Sequence, residues 1–142
     1  MVKQISIFLE NKSGRLAAVT RVLGSNGIDI SALSIADTTD FGILRIIVND
    51  PGKAIKVLTD NGFTVRSTDV IAISVPDRPG GLADVLEILA RQSIGIEYTY
   101  AFVGKIEGEA LVILRPDDPE RAYEVLKENN VKVLSAEDVH SL

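Results

Sequence analysis

Two ten-residue stretches carry the residues that could do chemistry: "ENKSGRLAAV" at 10–19 and "PDRPGGLADV" at 76–85. Each places glycine just ahead of an apolar run with helical spacing. The first turn of a helix has backbone N–H groups without intrahelical partners, and those groups favour a carboxylate. A glycine there accepts positive φ and, lacking Cβ, lets a ligand approach the main chain. Gly14, Arg15 and Leu16 would supply donors in the first stretch, and Gly80, Gly81 and Leu82 in the second. Asn11 sits in the first loop, and Asp29 opens a later strand, "IDIS". A carboxylate held on the helix end and an ammonium held by Asn11 and Asp29 together describe an α-amino acid. The same residues also have plain structural readings. Asn11 and Asp77 are ordinary turn residues, Ser13 a usual N-cap and Pro79 a usual first-turn proline. The side chains of Arg15 and Arg78 read as solvated, and Tyr98 and Tyr100 as core or interface aromatics.

Few other reactions are open to this chain. It has no cysteine, which removes disulfides, thiolate metal sites and cysteine nucleophiles, and its single histidine is His140, in the last three residues. No catalytic triad or zinc-binding histidine pair can be assembled, so no catalytic residue, metal or cofactor is expected. The net charge of −5 disfavours nucleic acid and anionic membranes. No apolar run approaches the roughly 18 residues of a membrane span, and the N-terminus lacks signal-peptide character. A cytoplasmic protein is expected.

The elements that must position these residues form a duplicated pattern. Ile5, Ile7, Gly14, Leu16, Ala17, Val19, Leu23, Ile28 and Ile30 recur 66 positions later, as Gly14 and Gly80 show. A two-residue slip, placed in the connection from 49 to 52, then lays "DPGKAIKVLTDNGFTV" (50–65) over "DPERAYEVLKENNVKV" (118–133). Each half reads β-α-β-β-α-β: an alternating strand, a helix with Leu16, Val19, Thr20 and Leu23 at helical spacing, two strands joined around Thr39-Asp40, a short helix from Pro51 with Ala54, Val57 and Leu58 inward and Asn61-Gly62 as its stop, and a last strand. The expected fold class is α+β, two ferredoxin-like units at 1–68 and 69–142, with antiparallel sheets joined side by side and helices on one face. "AEDVHSL" reads as a frayed or docked tail. "ILRIIV" and "ALVILR" are apolar at consecutive positions, as strands buried on both faces would be. Two helices cover only one face, so a homodimer is expected to cover the other.

The order of elements, with "DRPGGLADVLEILARQSIGIE" and "ENKSGRLAAVTRVLGSNGIDISAL", resembles the ACT domain family, whose D-R-P-G-x-L signature is followed by G-I-N-I; Ser13 stands where the signature has proline. The resemblance covers nearly the whole chain twice. It implies a regulatory module that pairs sheets side by side and binds a free amino acid, usually between two such modules. Carried over, it places one site on Asn11, Lys12, Ser13, Gly14, Arg15 and Leu16 with Asp29 and Ile30. A second would use Asp77, Arg78, Pro79, Gly80, Gly81 and Leu82, with Gly95 replacing the aspartate. Members usually attach the module to an enzyme. Here two units use all 142 residues, which implies a stand-alone tandem sensor that passes its signal to a partner protein. "LENKSGRLAAV" is also similar to the start of the acetolactate synthase small subunit, a regulator of a catalytic partner. An acylphosphatase-like hydrolase built on Arg15 and Asn11 is a weaker alternative, because those residues do not complete a hydrolytic constellation. Which amino acid binds is not legible.

Overall fold

The computed structural model describes every residue except Thr38 and Thr39; the turn expected around Thr39 therefore lies partly outside the described residues. The chain divides into two compact units, one comprising Lys3–Thr68 with Ser141, the other Asp69–His140 with Met1, Val2 and Leu142. Both are α+β and repeat the order β-α-β-β-α-β.

In the first unit, β1 (Val2–Glu10), β2 (Ile30–Asp37) and β3 (Phe41–Val48) lie in the order β2-β3-β1, all antiparallel. Helices α1 (Arg15–Ser25) and α2 (Pro51–Asp60) cover one face. The alternation of Ile5, Ile7 and Leu9 puts them on that face, where they meet Val19 and Leu23 of α1, Leu44 and Ile46 of β3, and Ala54 and Leu58 of α2. Each large aliphatic side chain buried this way contributes about 1.5–3 kcal/mol. Of the residues at helical spacing in α1, Val19 and Leu23 are buried, whereas Leu16, on the first turn, is 41% exposed.

A long strand, β4 (Thr64–Pro76), begins in the first unit and ends in the second. In the second unit it is flanked by β6 (Glu109–Pro116) and β7 (Lys132–Leu134), with β5 (Ile96–Ala101) outside β6. Helices α3 (Gly81–Arg91) and α4 (Pro119–Glu128) pack on Ile71, Ile73, Val112 and Leu114. The tail is docked: α5 (Ala136–His140) buries Val139 completely. Its start is closed by reciprocal bonds, Ser135 N–H to Asp138 Oδ2 at 2.9 Å and Asp138 N–H to Ser135 Oγ at 3.0 Å. These bonds hold Asp138 below the usual carboxylate range.

Register corrects the position of the slip. Ile5 pairs with Ile46 and Ile71 with Leu114, so the third strands are already offset by 68. The two extra residues of the second unit therefore lie between its second and third strands, not between 49 and 52.

In the apolar third strands Ile47 and Ile113, on the faces opposite the helices, are fully buried, as residues of strands buried on both faces would be.

Candidate functional site

The four long helices start in two different ways. Helices α2 and α4 are closed by aspartates: Asp50 Oδ1 accepts from Lys53 N–H at 3.1 Å and Asp118 Oδ1 from Arg121 N–H at 3.3 Å, each followed by a first-turn proline. Helices α1 and α3 have no side-chain cap. Their N-cap residues are Gly14 (φ +85°) and Gly80 (φ +86°), both left-handed. Ser13 therefore does not cap α1, and Pro79 lies ahead of the first turn of α3 rather than in it. A left-handed residue turns the chain sharply into the helix and leaves the first-turn N–H groups of Leu16 and Ala17 without a side-chain acceptor.

In the first unit this uncapped end opens on a cleft of about 310 Å3. Its walls are Leu9 and the loop Asn11, Lys12 and Ser13, then Arg15 and Leu16 of α1, then Ile35 and Asp37 at the end of β2, with Gly42 opposite. Leu16 and Ile35 are exposed large apolar side chains, at 41% and 43%, and Leu33 beside them on β2 is 41% exposed. A Cβ built on Gly14 would meet nothing within 4 Å, so the main chain there is open to a ligand.

Arg15 is not simply solvated. Its guanidinium lies 4.8 Å from the Phe63 ring centroid, and its Nε is buried with no hydrogen-bond partner among the described residues. Lys12 Nζ pairs with Glu10 Oε2 at 2.9 Å, which holds Glu10 below the usual carboxylate range.

Asp29 and Ile30 are not at this cleft. Ile30 pairs with Val48, whereas Asp37 pairs with Gly42 and Leu9 also pairs with Gly42. The two ends of β2 are separated by roughly 23 Å of strand. Asp29 is exposed at the far end, where its N–H donates to Asn49 Oδ1 at 3.0 Å. Within one unit the acidic residues at the cleft are Glu10, which is paired with Lys12, and Asp37, which the sequence reading missed. Its signal was positional: it ends the strand that runs back to the loop, facing a glycine. A Cβ on Gly42 would lie 3.0 Å from Asp37 Oδ1.

The second loop is built differently. A Cβ on Gly81 would collide with the Pro76 carbonyl oxygen, so this glycine serves close packing of helix on strand. Arg78 pairs with Asp84 at 3.2 Å and its side chain is 58% exposed. Gly95 leaves room for Asp117, whose Oδ2 accepts from the Gly95 N–H at 3.1 Å. Asp77 and Pro79 are exposed, Gly80 has only the Arg78 Nη1 near its missing Cβ, at 4.0 Å, and Leu82 packs partly into the core.

Among the described residues no helix is long and apolar enough to cross a membrane, and no group of three or more potential metal ligands is assembled.

The fold and chain match known proteins along their length. A protein of Bacteroides thetaiotaomicron of known crystal structure is 51% identical, covering 99% of this chain and 96% of that one, with a TM-score of 0.93. The ligand-free regulatory subunit of aspartate kinase from Thermus thermophilus is 17% identical, covering 89% of this chain and 90% of that one, with a TM-score of 0.64. The corresponding subunit from Thermus flavus is also 17% identical, covering 98% and 90%, with a TM-score of 0.61. At that identity these last two show a shared fold. No curated protein matches the sequence. The family model described as an ACT domain pair matches residues 1–142, and the chain belongs to that family.

Proposed function

We propose that residues 1–68 and 69–142 are the two ACT domains of a non-catalytic regulatory protein that binds a free amino acid and signals to a partner protein. The observation that carries this reading is the uncapped start of α1 opening on a cleft, in a chain that caps two of its other three long helices with aspartate. The ligand carboxylate sits on the N–H groups of Leu16 and Ala17 beside Arg15, whose buried Nε lacks an acceptor. The ammonium is held by Asp37, and the side chain lies along Leu16 and Ile35.

The edge of β2 extends the reading to a homodimer. This strand ends the sheet order, and its sequence, "ISALSIAD", has neither lysine nor proline to blunt the edge. Pairing it antiparallel with β2 of a second copy buries Leu33 and Ile35. By symmetry the Ile30 end of one strand then lies beside the Asp37 end of the other. Asp29 and Ile30 of one copy thereby reach the Asn11–Leu16 loop of the other, which reconciles the family-based site with the distance inside a single unit. An amino acid bound across that seam has a different affinity for paired and separate copies, and this difference is what a regulated enzyme or other partner protein would read.

Analytical ultracentrifugation with and without the twenty amino acids tests the reading. A dimer whose dissociation constant falls in the presence of one amino acid is expected. A monomer unaffected by all twenty overturns the seam.

A further inference from the structure

The two halves share a backbone around the start of their first helices but not the side chains that surround it. Helices α1 and α3 both begin uncapped behind a left-handed glycine, so the helix starts alone do not tell the units apart. What differs is an arginine and the ring beside it. Arg15, the first residue of α1, has its guanidinium 4.8 Å from the centroid of Phe63. Gly81 and Val131 stand at the matching positions of the second unit.

Phe63 is fixed by the end of α2. That helix stops at Asn61, Gly62 takes φ +83°, and the Phe63 N–H returns to the Leu58 carbonyl at 3.0 Å. The ring is 7% exposed and belongs to the core that holds Val19 and Leu58. Val131 is held by the same turn at the end of α4, with Asn130 at φ +59° and the Val131 N–H on the Leu126 carbonyl at 3.0 Å. The scaffold is repeated, and its ring is present only once.

A ring in this place does two things for Arg15. A long side chain that is free in solvent loses rotamer freedom when it binds, which weakens binding. Held over Phe63, Arg15 has lost that freedom beforehand. An aromatic face also attracts the cation without supplying an acceptor, so Nε remains buried with no hydrogen-bond partner among the described residues. Its N–H is left for a carboxylate. The second unit cannot copy the arrangement. A Cβ on Gly81 would strike the Pro76 carbonyl oxygen, and Gly81 and Val131 line a cleft of about 430 Å3 instead. The loop arginine there, Arg78, is 58% exposed and already paired with Asp84 at 3.2 Å.

Taking the α1 cleft as the amino-acid site proposed above, we infer that Phe63 is its positioning residue, holding Arg15 ready for the ligand carboxylate, and that of the two units only the first binds an amino acid.

Titration of the full chain with each of the twenty amino acids, followed by NMR at the Arg15 Nε–H and at the backbone amides, tests this. One amino acid should move the Arg15 Nε–H and the Leu16 amide saturably, at one molecule per chain, while the Gly81 amide stays still. Phe63→Leu should weaken that binding by about three- to thirtyfold, the range for losing a partly desolvated cation–π contact. Leucine also changes the core, so phenylalanines with an increasing number of ring fluorines are placed at position 63 alone. Fluorine withdraws electron density from the ring face with little change of shape, and affinity should fall stepwise while the circular dichroism spectrum is unchanged. Binding at Arg15 that ignores fluorination would overturn the positioning role. Saturable movement of the Gly81 amide, or two molecules bound per chain, would overturn the single site, and both results leave the amino-acid reading standing. No response to any of the twenty would overturn that reading and the role of Phe63 with it.

Discussion

Alanine at three glycines separates the two jobs that glycine does at the helix starts. Gly14 and Gly80 have φ near +85° with no neighbour crowding the missing Cβ, so Gly14→Ala and Gly80→Ala suffer only the left-handed backbone. That strain is about 1–2 kcal/mol, reduced by the smaller entropy of the alanine chain when unfolded, about 0.4–1 kcal/mol. A net loss of about 1 kcal/mol lowers the melting temperature by about 2–4 °C in a protein of this size. Gly81 is different: it is helical and has no positive φ, and by helix propensity alone alanine should be better there. Because the added Cβ would strike the Pro76 carbonyl oxygen, the end of β4 or the helix must move, and overpacking of this kind costs about 1–3 kcal/mol or more. Net of the propensity gain, Gly81→Ala should still be the least stable of the three. Thermal and urea unfolding followed by circular dichroism give the order directly. Gly14→Asn is the control, since asparagine tolerates the left-handed region and should recover part of the loss. If Gly81→Ala were as stable as wild type while Gly14→Ala was not, close packing at Pro76 would be wrong. Equal losses for Gly14→Ala and Gly14→Asn would refute the left-handed explanation.

Asp37→Asn should weaken amino-acid binding at the α1 cleft by about ten- to a hundredfold, the loss of a charge-assisted contact worth about 1.5–3 kcal/mol; calorimetric titration checks it. Asp29→Ala should weaken binding similarly only in the dimer, so a mutant whose affinity tracks its association state supports the seam. Ile35→Lys should leave the fold intact and yield a monomer by light scattering, since a lysine on an edge strand opposes pairing. Glu109 is held below its ordinary value of 4.5 chiefly by the hydrogen bond from Lys132, then by that from Ser74. A carboxylate with a lowered value stabilises the fold above the unfolded-state value, and that contribution disappears as pH falls through the folded one. Carboxyl-carbon NMR should therefore show Glu109 titrating below 4.5, and Lys132→Ala should move it upward.

The duplication made the architecture readable. Alternating Ile5, Ile7 and Leu9 and the helix start at Pro51 are local signals, and the structure places a strand at the first and an Asp50 cap ahead of the second. The α1 loop was legible for the same reason, since a glycine ahead of an amphipathic run is visible without knowing the neighbours. Not legible was anything that depends on where the strands travel within one unit. Asp29 looked close to Asn11 because only a helix separates them in sequence, yet that helix carries the chain to the far end of the sheet. Asp37, seven pairs further along β2, returns to the loop. Helical spacing alone does not separate the buried Val19 and Leu23 from the exposed Leu16. Nor could spacing show that Arg15 lies over Phe63, a contact between residues 48 positions apart that closes one flank and leaves its counterpart open in the other unit.

The central claim is that a free amino acid binds at the uncapped start of α1. The most direct measurement is a thermal-shift screen of the purified protein against the twenty amino acids at millimolar concentration, repeated on Gly14→Val. A ligand at a hundred times its dissociation constant adds about 2.7 kcal/mol of stability, which at about 2–4 °C per kcal/mol is a shift of about 5–11 °C. One amino acid that stabilises the wild type and loses its effect in Gly14→Val is the result expected. No shift with any of the twenty, or a shift that persists unchanged in Gly14→Val, would contradict it.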